Sequence, residues 1–169
     1  MKPFLIICLL SLPLFGQAKT PCKEPEQKQL DFWVGEWTLT WPGQNGSAEG
    51  HGTNSIKRIL EGCVVEETFS GEDSIHLRGH SVSIFDATDH HWKQTWVDNE
   101  GGYLDFTGGL QDGQMSFWRN VTRPDGTKSI SRMIWRNVTA DSLDWSWESS
   151  KDGGKTWQVM WPIHYQRKK

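Results

Sequence analysis

The amino-acid sequence predicts an all-β protein, a closed antiparallel up-and-down barrel of about ten strands. Three features of the 169-residue chain support this prediction. Short runs rich in β-branched and aromatic residues recur about every ten positions, turn-forming residues separate them, and no longer window follows a helical period. Strands joined by tight turns pair with their sequence neighbours, and closure of the sheet removes both exposed edges.

The first three predicted strands are Gly35–Trp41, Gly50–Leu60 and Cys63–Ser70. In the first of them, Trp37, Leu39 and Trp41 alternate with polar residues. This is the period of a strand that buries one face. Pro42–Gly46 and Glu61-Gly62 provide the turns. One helical turn at Pro25–Gln29 is expected before the first strand.

The next four predicted strands are Ile75–Phe85, Trp92–Asp98, Gly102–Gly108 and Gln114–Val121. The breaks between them contain Asp or Asn close to Gly, for example Asp112-Gly113, and such pairs suit short hairpin turns. Gly79 and Gly108-Gly109 lie in or beside these strands, where a sharp bend helps a sheet to close.

The last three predicted strands are Lys128–Val138, Ser142–Ser149 and Thr156–Arg167. Ser150–Trp157 matches the pattern S-x-D-x-G-x-T-W, in which the Asp and Ser bond backbone N–H groups and the Trp packs beneath. The pattern occurs once, and it predicts a stable hairpin turn rather than a glycan site.

The N-terminal residues predict a secretory leader that ends at residue 18. Lys2 precedes the apolar run Phe4–Phe15, and Gly16-Gln17-Ala18 is a small-x-small cleavage site. Residues 19–30 then form a lead-in and residues 31–169 a single barrel domain. Removal of the leader leaves Cys22 and Cys63, which in an oxidising compartment predict a disulfide, two unpaired thiols being the alternative.

The net charge and the spacing of the histidines argue against nucleic acid and metal ions as partners. The formal net charge is -3, so no basic excess points to nucleic acid, and no other apolar run approaches membrane length. His76 and His80 are too far apart on a strand to share an ion, and His90 and His91 point to opposite sides. We therefore expect neither nucleic acid, nor a metal, nor a membrane after leader cleavage. The oligomeric state stays open.

The segment Leu30–Trp37 resembles the start of the calycin superfamily of lipocalin-like and fatty-acid-binding-like barrels. The resemblance implies that Trp37 plugs one end of the barrel. Gly62–Glu67, Gln94–Asp98 and Ser150–Trp157 are also similar to an exported bacterial family of unknown function. That similarity covers most of residues 30–167 and implies a periplasmic or secreted location, but it carries no activity.

Charged residues that share a strand face with apolar ones predict an interior site for a small ligand. Glu66 shares its face with Val64 and Thr68, and Arg132 lies between Ile130 and Ile134 on its own face. The fatty-acid-binding-like resemblance implies that interior Arg and Gln side chains hold a ligand carboxylate, so the expected small-molecule ligand is amphipathic or anionic. The predicted polar anchors are Glu66, Gln94, Arg119 and Arg132, and the predicted walls are Trp96, Trp145 and Trp147. In the alternative, the arginines form internal ion pairs with Glu66 or Asp98.

Two other functions remain open from the sequence. The 11 tryptophans could form a surface platform for glycans. A haem-binding barrel, with His164 as the iron ligand, is a weak possibility, and no other cofactor is expected. Glu66, Glu67, Asp98, Asp105 and Glu148 offer carboxylate pairs for glycoside hydrolysis, but no catalytic residue is assigned.

Overall fold

The computed structural model describes residues 22–43, 48–72 and 75–169. The predicted leader and residues 19–21 of the lead-in lie outside the described residues, as does part of the predicted Pro42–Gly46 turn. Among the described residues, no helix is long and apolar enough to cross a membrane.

The fold is all-β, and its strands close into one barrel. In chain order they are β1 (Gly35–Trp41), β2 (Gly50–Ile59), β3 (Val64–Gly71), β4 (Arg78–Asp86), β5 (His91–Asp98), β6 (Tyr103–Gln111), β7 (Gln114–Thr122), β8 (Lys128–Arg136), β9 (Ser142–Ser150) and β10 (Gln158–Arg167). Each strand pairs antiparallel with its sequence neighbours, and β10 pairs with β1 to complete the ring. The predicted ten-stranded up-and-down barrel is confirmed.

The predicted and observed strand ends differ by a few residues where side chains or backbone strain decide the boundary. β2 stops at Ile59 because Leu60 and Glu61 adopt positive φ angles of 49° and 60°, which a strand cannot accommodate. β10 begins at Gln158 rather than Thr156, since Thr156 bonds Asp152 with both its backbone N–H and its hydroxyl.

One end of the barrel is covered by the lead-in. Short 3₁₀ helices at Pro25–Lys28 and Asp31–Trp33 cross this end, and Leu30 between them is fully buried. The predicted disulfide between Cys22 and Cys63 is present and joins the lead-in to the start of β3. Arg58 also holds the lead-in, because its guanidinium donates to a carboxylate oxygen of Asp31 at 2.6 Å.

Trp37 lies at the same covered end and has no exposed surface. Its indole N–H donates to the Trp33 carbonyl at 2.8 Å, and the Arg167 guanidinium lies 4.1 Å from the centre of its ring. Arg167 also donates to the Val34 carbonyl at 2.7 Å. Trp37 therefore occupies the plug position that the calycin resemblance implied.

Most of the tryptophans face the barrel interior. Trp33, Trp37, Trp41, Trp92 and Trp135 belong to the buried core, and Trp96, Trp145, Trp147 and Trp161 pack against it. These large rings require small residues opposite them. A Cβ on Gly79 would overlap the indole of Trp96, and one on Gly108 would overlap the Ser116 carbonyl and the Phe117 ring. Both glycines make room for aromatic rings, a role that the sequence analysis assigned to bending.

Candidate binding cavity

A cavity of about 300 Å³ lies inside the barrel. Aromatic side chains from five strands form most of its wall: Phe69, Trp96, Phe106, Trp145, Trp147 and Trp161. Trp33 and Tyr165 line it toward the covered end. The site therefore depends on the period of the strands, which directs alternate side chains inward.

The aromatic rings of the wall hold one another in place. Trp145 and Trp161 meet edge to face with ring centres 6.1 Å apart, and Phe106 and Trp147 do so at 5.6 Å. Edge-to-face packing directs the positive ring edge at the negative face of its neighbour, which adds to the effect of burial. The wall is therefore formed before any ligand enters.

Glu67 contributes a carboxyl group to this mainly apolar wall, although the residue is only 6% exposed. Asn54 on β2 donates to one carboxylate oxygen at 2.7 Å, and Ser81 on β4 donates to the other at 2.6 Å. Burial raises the pKa of Glu67, and the hydrogen bonds from Ser81 and Asn54 oppose that shift. The group therefore ionises less readily than an exposed glutamate.

Tyr165 and two tryptophans add further polar atoms. The Tyr165 hydroxyl accepts a hydrogen bond from Asn54 at 3.1 Å, and burial together with the charge of Glu67 raises the pKa of Tyr165. The indole nitrogen of Trp161 is buried and has no hydrogen-bond partner in the described part of the chain. The buried indole nitrogen of Trp33 lies close enough to the Tyr165 hydroxyl to oppose the rise of the Tyr165 pKa, although its geometry falls short of a full hydrogen bond. A buried donor without a partner is costly, and both residues line the cavity.

At the opposite side of the cavity Asp98 forms part of the rim. It accepts hydrogen bonds from the Trp96 indole at 3.0 Å and from the Gly102 backbone N–H at 2.7 Å. The Trp96 indole, followed by the Gly102 N–H, lowers the pKa of Asp98. This carboxylate is therefore ionised near neutral pH.

A second depression, of about 510 Å³, adjoins the cavity at the end of the barrel that carries the β1–β2, β3–β4 and β5–β6 connections. We call it the vestibule. It shares Leu77, Trp147 and Trp161 with the cavity, and Glu100 lies in its wall.

The structure brings together four of the seven residues that the sequence predicted as ligand contacts. Gln94, Trp96, Trp145 and Trp147 line the cavity. Gln94 also donates to the Ser83 hydroxyl at 3.0 Å, so its amide is held in a fixed position.

Glu66 lies outside the barrel and not in the cavity. It faces His80 on the outer surface, with a carboxylate oxygen 3.5 Å from the ring nitrogen. The sequence analysis grouped Glu66 with Val64 and Thr68, but β3 buries the other face, which carries Val65, Glu67 and Phe69. The aromatic residue Phe69 was the signal that could have identified Glu67.

Arg132 also lies on the outer surface, which corrects its expected interior position. Its guanidinium meets a Glu148 carboxylate oxygen at 2.7 Å, and Arg136 meets the other oxygen at 2.8 Å. Met133 and Trp135 take the inner face of β8. The ion-pair alternative named Glu66 or Asp98 as the partner, but the observed partner is Glu148, which the register places directly opposite on β9.

Arg119 lies just beyond the part of β7 that pairs with β6. The last paired residues of β6 and β7 are Thr107 and Trp118. A depression formed by residues of β5, β6 and β7, separate from the cavity, contains Arg119. The guanidinium lies 3.4 Å from Asp105 and 5.9 Å from the centre of the Phe106 ring. Arg119 shares the inner face of β7 with Met115 and Phe117, and its buried Nε has no hydrogen-bond partner among the described residues. It is nevertheless not one of the residues that line the cavity.

The Ser150–Trp157 turn forms as predicted. Asp152 accepts hydrogen bonds from the backbone N–H groups of Lys155 and Thr156 and from the Thr156 hydroxyl. The Ser150 hydroxyl accepts one from Gly154. Trp157 packs on the outer wall with the Arg132 guanidinium 3.8 Å from its ring, so this turn is distant from the cavity.

The histidines do not contribute to the cavity. His164, the expected iron ligand of a haem barrel, lies on the outer surface, and its ring bonds Asp144 at 2.7 Å. In the described ranges, no group of three or more His, Cys, Asp or Glu side chains is arranged to hold a metal ion.

Neither a protein-family model nor a curated protein sequence matches this chain. Its closed ten-stranded antiparallel barrel is consistent with the calycin architecture. The fold and cavity together place the protein among up-and-down β-barrels with an internal cavity.

Proposed function

We propose that the protein is an exported binding protein that holds a small, mainly apolar ligand inside the barrel. The observation that carries this proposal is the aromatic cavity of about 300 Å³ with one buried carboxyl group in its wall. Protein interiors are normally packed without such spaces, whereas ligand sites combine an apolar wall with a few fixed polar groups.

The polar groups of the wall favour a ligand that donates hydrogen bonds. Glu67 and Asp98 line the cavity, and no Lys, Arg or His is among the described lining residues. Of the arginines that would have held a ligand carboxylate, Arg132 lies on the outer wall, and Arg119 meets Asp105 and the Phe106 ring without lining the cavity. We therefore revise the expected anionic ligand to one with a donor group for Glu67 and an acceptor for the unpaired indole N–H of Trp161.

The positions of the tryptophans do not support the glycan platform. All eleven lie in the described residues, and none of them is exposed. Only Trp118 and Trp157 lie outside the set that packs on the core. Glycan platforms present flat exposed rings, so the interior cavity is the better candidate.

Export is part of the proposal and rests on the sequence. The predicted leader and the disulfide both favour a periplasmic or secreted protein. An oxidising compartment maintains the Cys22–Cys63 bond without a reductant to oppose it.

A cavity-filling variant tests the proposal. Leu104→Trp adds bulk to the cavity wall, and Val97→Trp adds the same ring on the outer face of the neighbouring strand, where Val97 is 44% exposed. Native mass spectrometry would first identify a ligand that co-purifies with the wild type. At one hundred times its Kd, that ligand should stabilise the wild type and Val97→Trp by about 2.7 kcal/mol in thermal melts.

Leu104→Trp should lose this stabilisation while it still melts cooperatively. If Leu104→Trp binds the ligand as tightly as the wild type, the ligand lies outside the barrel and the proposal is wrong.

A further inference from the structure

Glu67 is buried without a cationic partner. In the described ranges its oxygens contact the neutral groups of Asn54 and Ser81, and no Lys, Arg or His comes within ion-pair distance. Each carboxylate oxygen can accept two hydrogen bonds, so lone pairs remain available on both. A buried charge normally has a partner of opposite charge, and the position that such a partner of Glu67 would occupy lies in the cavity.

The walls around this carboxyl group also suit a positive charge. Trp145, Trp147 and Trp161 surround the same cavity, and the faces of aromatic rings attract cations. The Trp161 indole N–H, buried and without a partner among the described residues, adds a donor that can meet an acceptor or the ring face of a bound aromatic body.

The approach to the cavity carries negative charge as well. Asp98 lies at the rim and Glu100 in the vestibule, while no basic side chain lines either space among the described residues. Residues 44–47 and 73–74 contain no Lys, Arg or His in the sequence. A channel with charge of one sign raises the local concentration of ions of the opposite sign.

We propose that the ligand of this cavity is a small aromatic amine whose ammonium group forms an ion pair with the Glu67 carboxylate. This inference rests on the proposed function and specifies its ligand class. The aromatic body stacks among the tryptophans, and the ammonium group donates to the free lone pairs of Glu67. If Glu67 holds a proton in the empty protein, that proton passes to solvent when the ammonium binds.

Calorimetric titration with three compounds of matched shape tests the inference. Naphthylethylamine, naphthylethanol and naphthylacetate share one aromatic body and differ in the charge of the polar end. At neutral pH the amine should bind the wild type about tenfold or more tighter than the alcohol, and the acetate should bind most weakly.

Two neighbouring variants separate the charge of Glu67 from general effects. Glu67→Gln keeps the shape and removes the charge, so it should bind amine and alcohol within about threefold of each other. Glu66→Gln makes the same change on the outer face of β3 and should keep the wild-type preference. Binding of the alcohol to Glu67→Gln also shows that this variant is folded.

The outcomes separate this inference from the proposed function. If the wild type binds amine and alcohol equally, or if Glu67→Gln keeps the preference for the amine, the ion pair is refuted and the cavity remains a binding site. If none of the three compounds binds at millimolar concentration, both proposals are overturned.

Discussion

Two buried glutamates on opposite faces of the barrel wall have opposite electrostatic surroundings. Within the described part of the chain, Glu67 faces the interior and meets only neutral groups, whereas Glu148, 1% exposed, lies under Arg132 and Arg136 on the outer wall. Burial opposes the ionisation of Glu148, but the Ser146 hydroxyl and the two guanidinium groups outweigh it and lower its pKa. Similar burial therefore leads to opposite pH effects.

Glu148→Gln should destabilise the protein, because it removes the anion between two guanidinium groups. Loss of one partner from a buried ion pair costs about 3–5 kcal/mol, and the partial exposure of both arginines places this case near the lower limit. Urea unfolding at neutral pH would measure the change. Glu66→Gln is the control and should shift the free energy of unfolding by less than about 0.5 kcal/mol.

The sign of the pH dependence follows from the lowered pKa of Glu148. Its contribution to stability is present above the pKa of the unfolded chain and is lost as the pH falls through the folded pKa. The difference in the free energy of unfolding between wild type and Glu148→Gln should therefore become smaller as the pH falls. A difference that stays constant down to about pH 3 would contradict this assignment.

Glu67→Gln should have the opposite effect on the empty protein. The folded pKa of Glu67 is raised, so the wild type loses stability as the pH rises from the unfolded pKa through the folded one. The substituted glutamine amide does not ionise, and the Ser81 hydroxyl can turn to accept from it. The variant should therefore gain stability over the wild type with rising pH, as urea unfolding across a pH series would show.

If the difference in the free energy of unfolding between wild type and Glu67→Gln does not grow with pH, Glu67 has a charge partner in the empty protein. The ionisation of this residue would then carry no penalty, and the need for a cationic ligand would disappear.

At the scale of single elements, the sequence predicted the strands more closely than it predicted their faces. The bounds of β1 agree with the prediction, since alternating Trp37, Leu39 and Trp41 mark both its period and its inner face. On β3 and β8 the analysis followed Val64 and the isoleucines beside Arg132, which lie on the outer face. A shift of one residue exchanges the two faces of a strand, so Glu66 replaced Glu67 in the predicted site.

The outer face of β8 misled the prediction because it is itself partly buried. Ile134 is only 2% exposed although it lies on the same side as Arg132 and Arg136. Trp157, delivered by the β9–β10 turn, packs against this surface. The apolar Ile134 on the same face as Arg132 therefore did not indicate an inward face. The pairing of β8 with β9 decides which face of β8 turns inward, and the sequence alone does not give that pairing.

The β9–β10 turn should contribute to stability through Asp152. Three donors from residues 155–156 bond this carboxylate, and they lower its pKa to about 2, with the Thr156 hydroxyl as the largest cause. Asp152→Ala should lower the Tm and speed hydrogen exchange of the β9 and β10 amides. Asp125→Ala, in the β7–β8 turn where one backbone N–H bonds the carboxylate at 2.8 Å, should have a smaller effect.

The effect of Asp152 should depend on pH in a defined direction. Its stabilisation is present above the unfolded pKa near 3.8 and is lost as the pH falls through the folded value of about 2. Equal Tm losses for Asp152→Ala and Asp125→Ala at neutral pH would show that the motif adds nothing beyond an ordinary turn.

At the scale of the whole molecule, the two ends of the barrel have different roles. The lead-in, the disulfide and Trp37 close one end, while the rim of the cavity and the vestibule lie toward the other. This division separates the parts that stabilise the barrel from the cavity that we propose as the ligand site. A change at the closed end should therefore alter stability and leave the cavity intact.

Removal of the disulfide tests this separation. Cys22 and Cys63 are 41 residues apart in sequence, and the chain-entropy model assigns a crosslink of that span about 4 kcal/mol of stabilisation. Cys22→Ser/Cys63→Ser should lower the free energy of unfolding by about 2–4 kcal/mol in urea titrations, and wild-type protein under a reductant should approach the same value.

The same double variant should bind the cavity ligand with wild-type affinity, because the crosslink contacts neither the rim nor the aromatic wall. Calorimetric titration of folded protein, well below the urea midpoint, provides that comparison. If affinity falls along with stability, the lead-in and its Trp33 must move when the crosslink is lost, and the covered end would be part of the binding site. If neither changes, the hydrogen bonds of Arg58 and Arg167 suffice to hold the lead-in on the barrel.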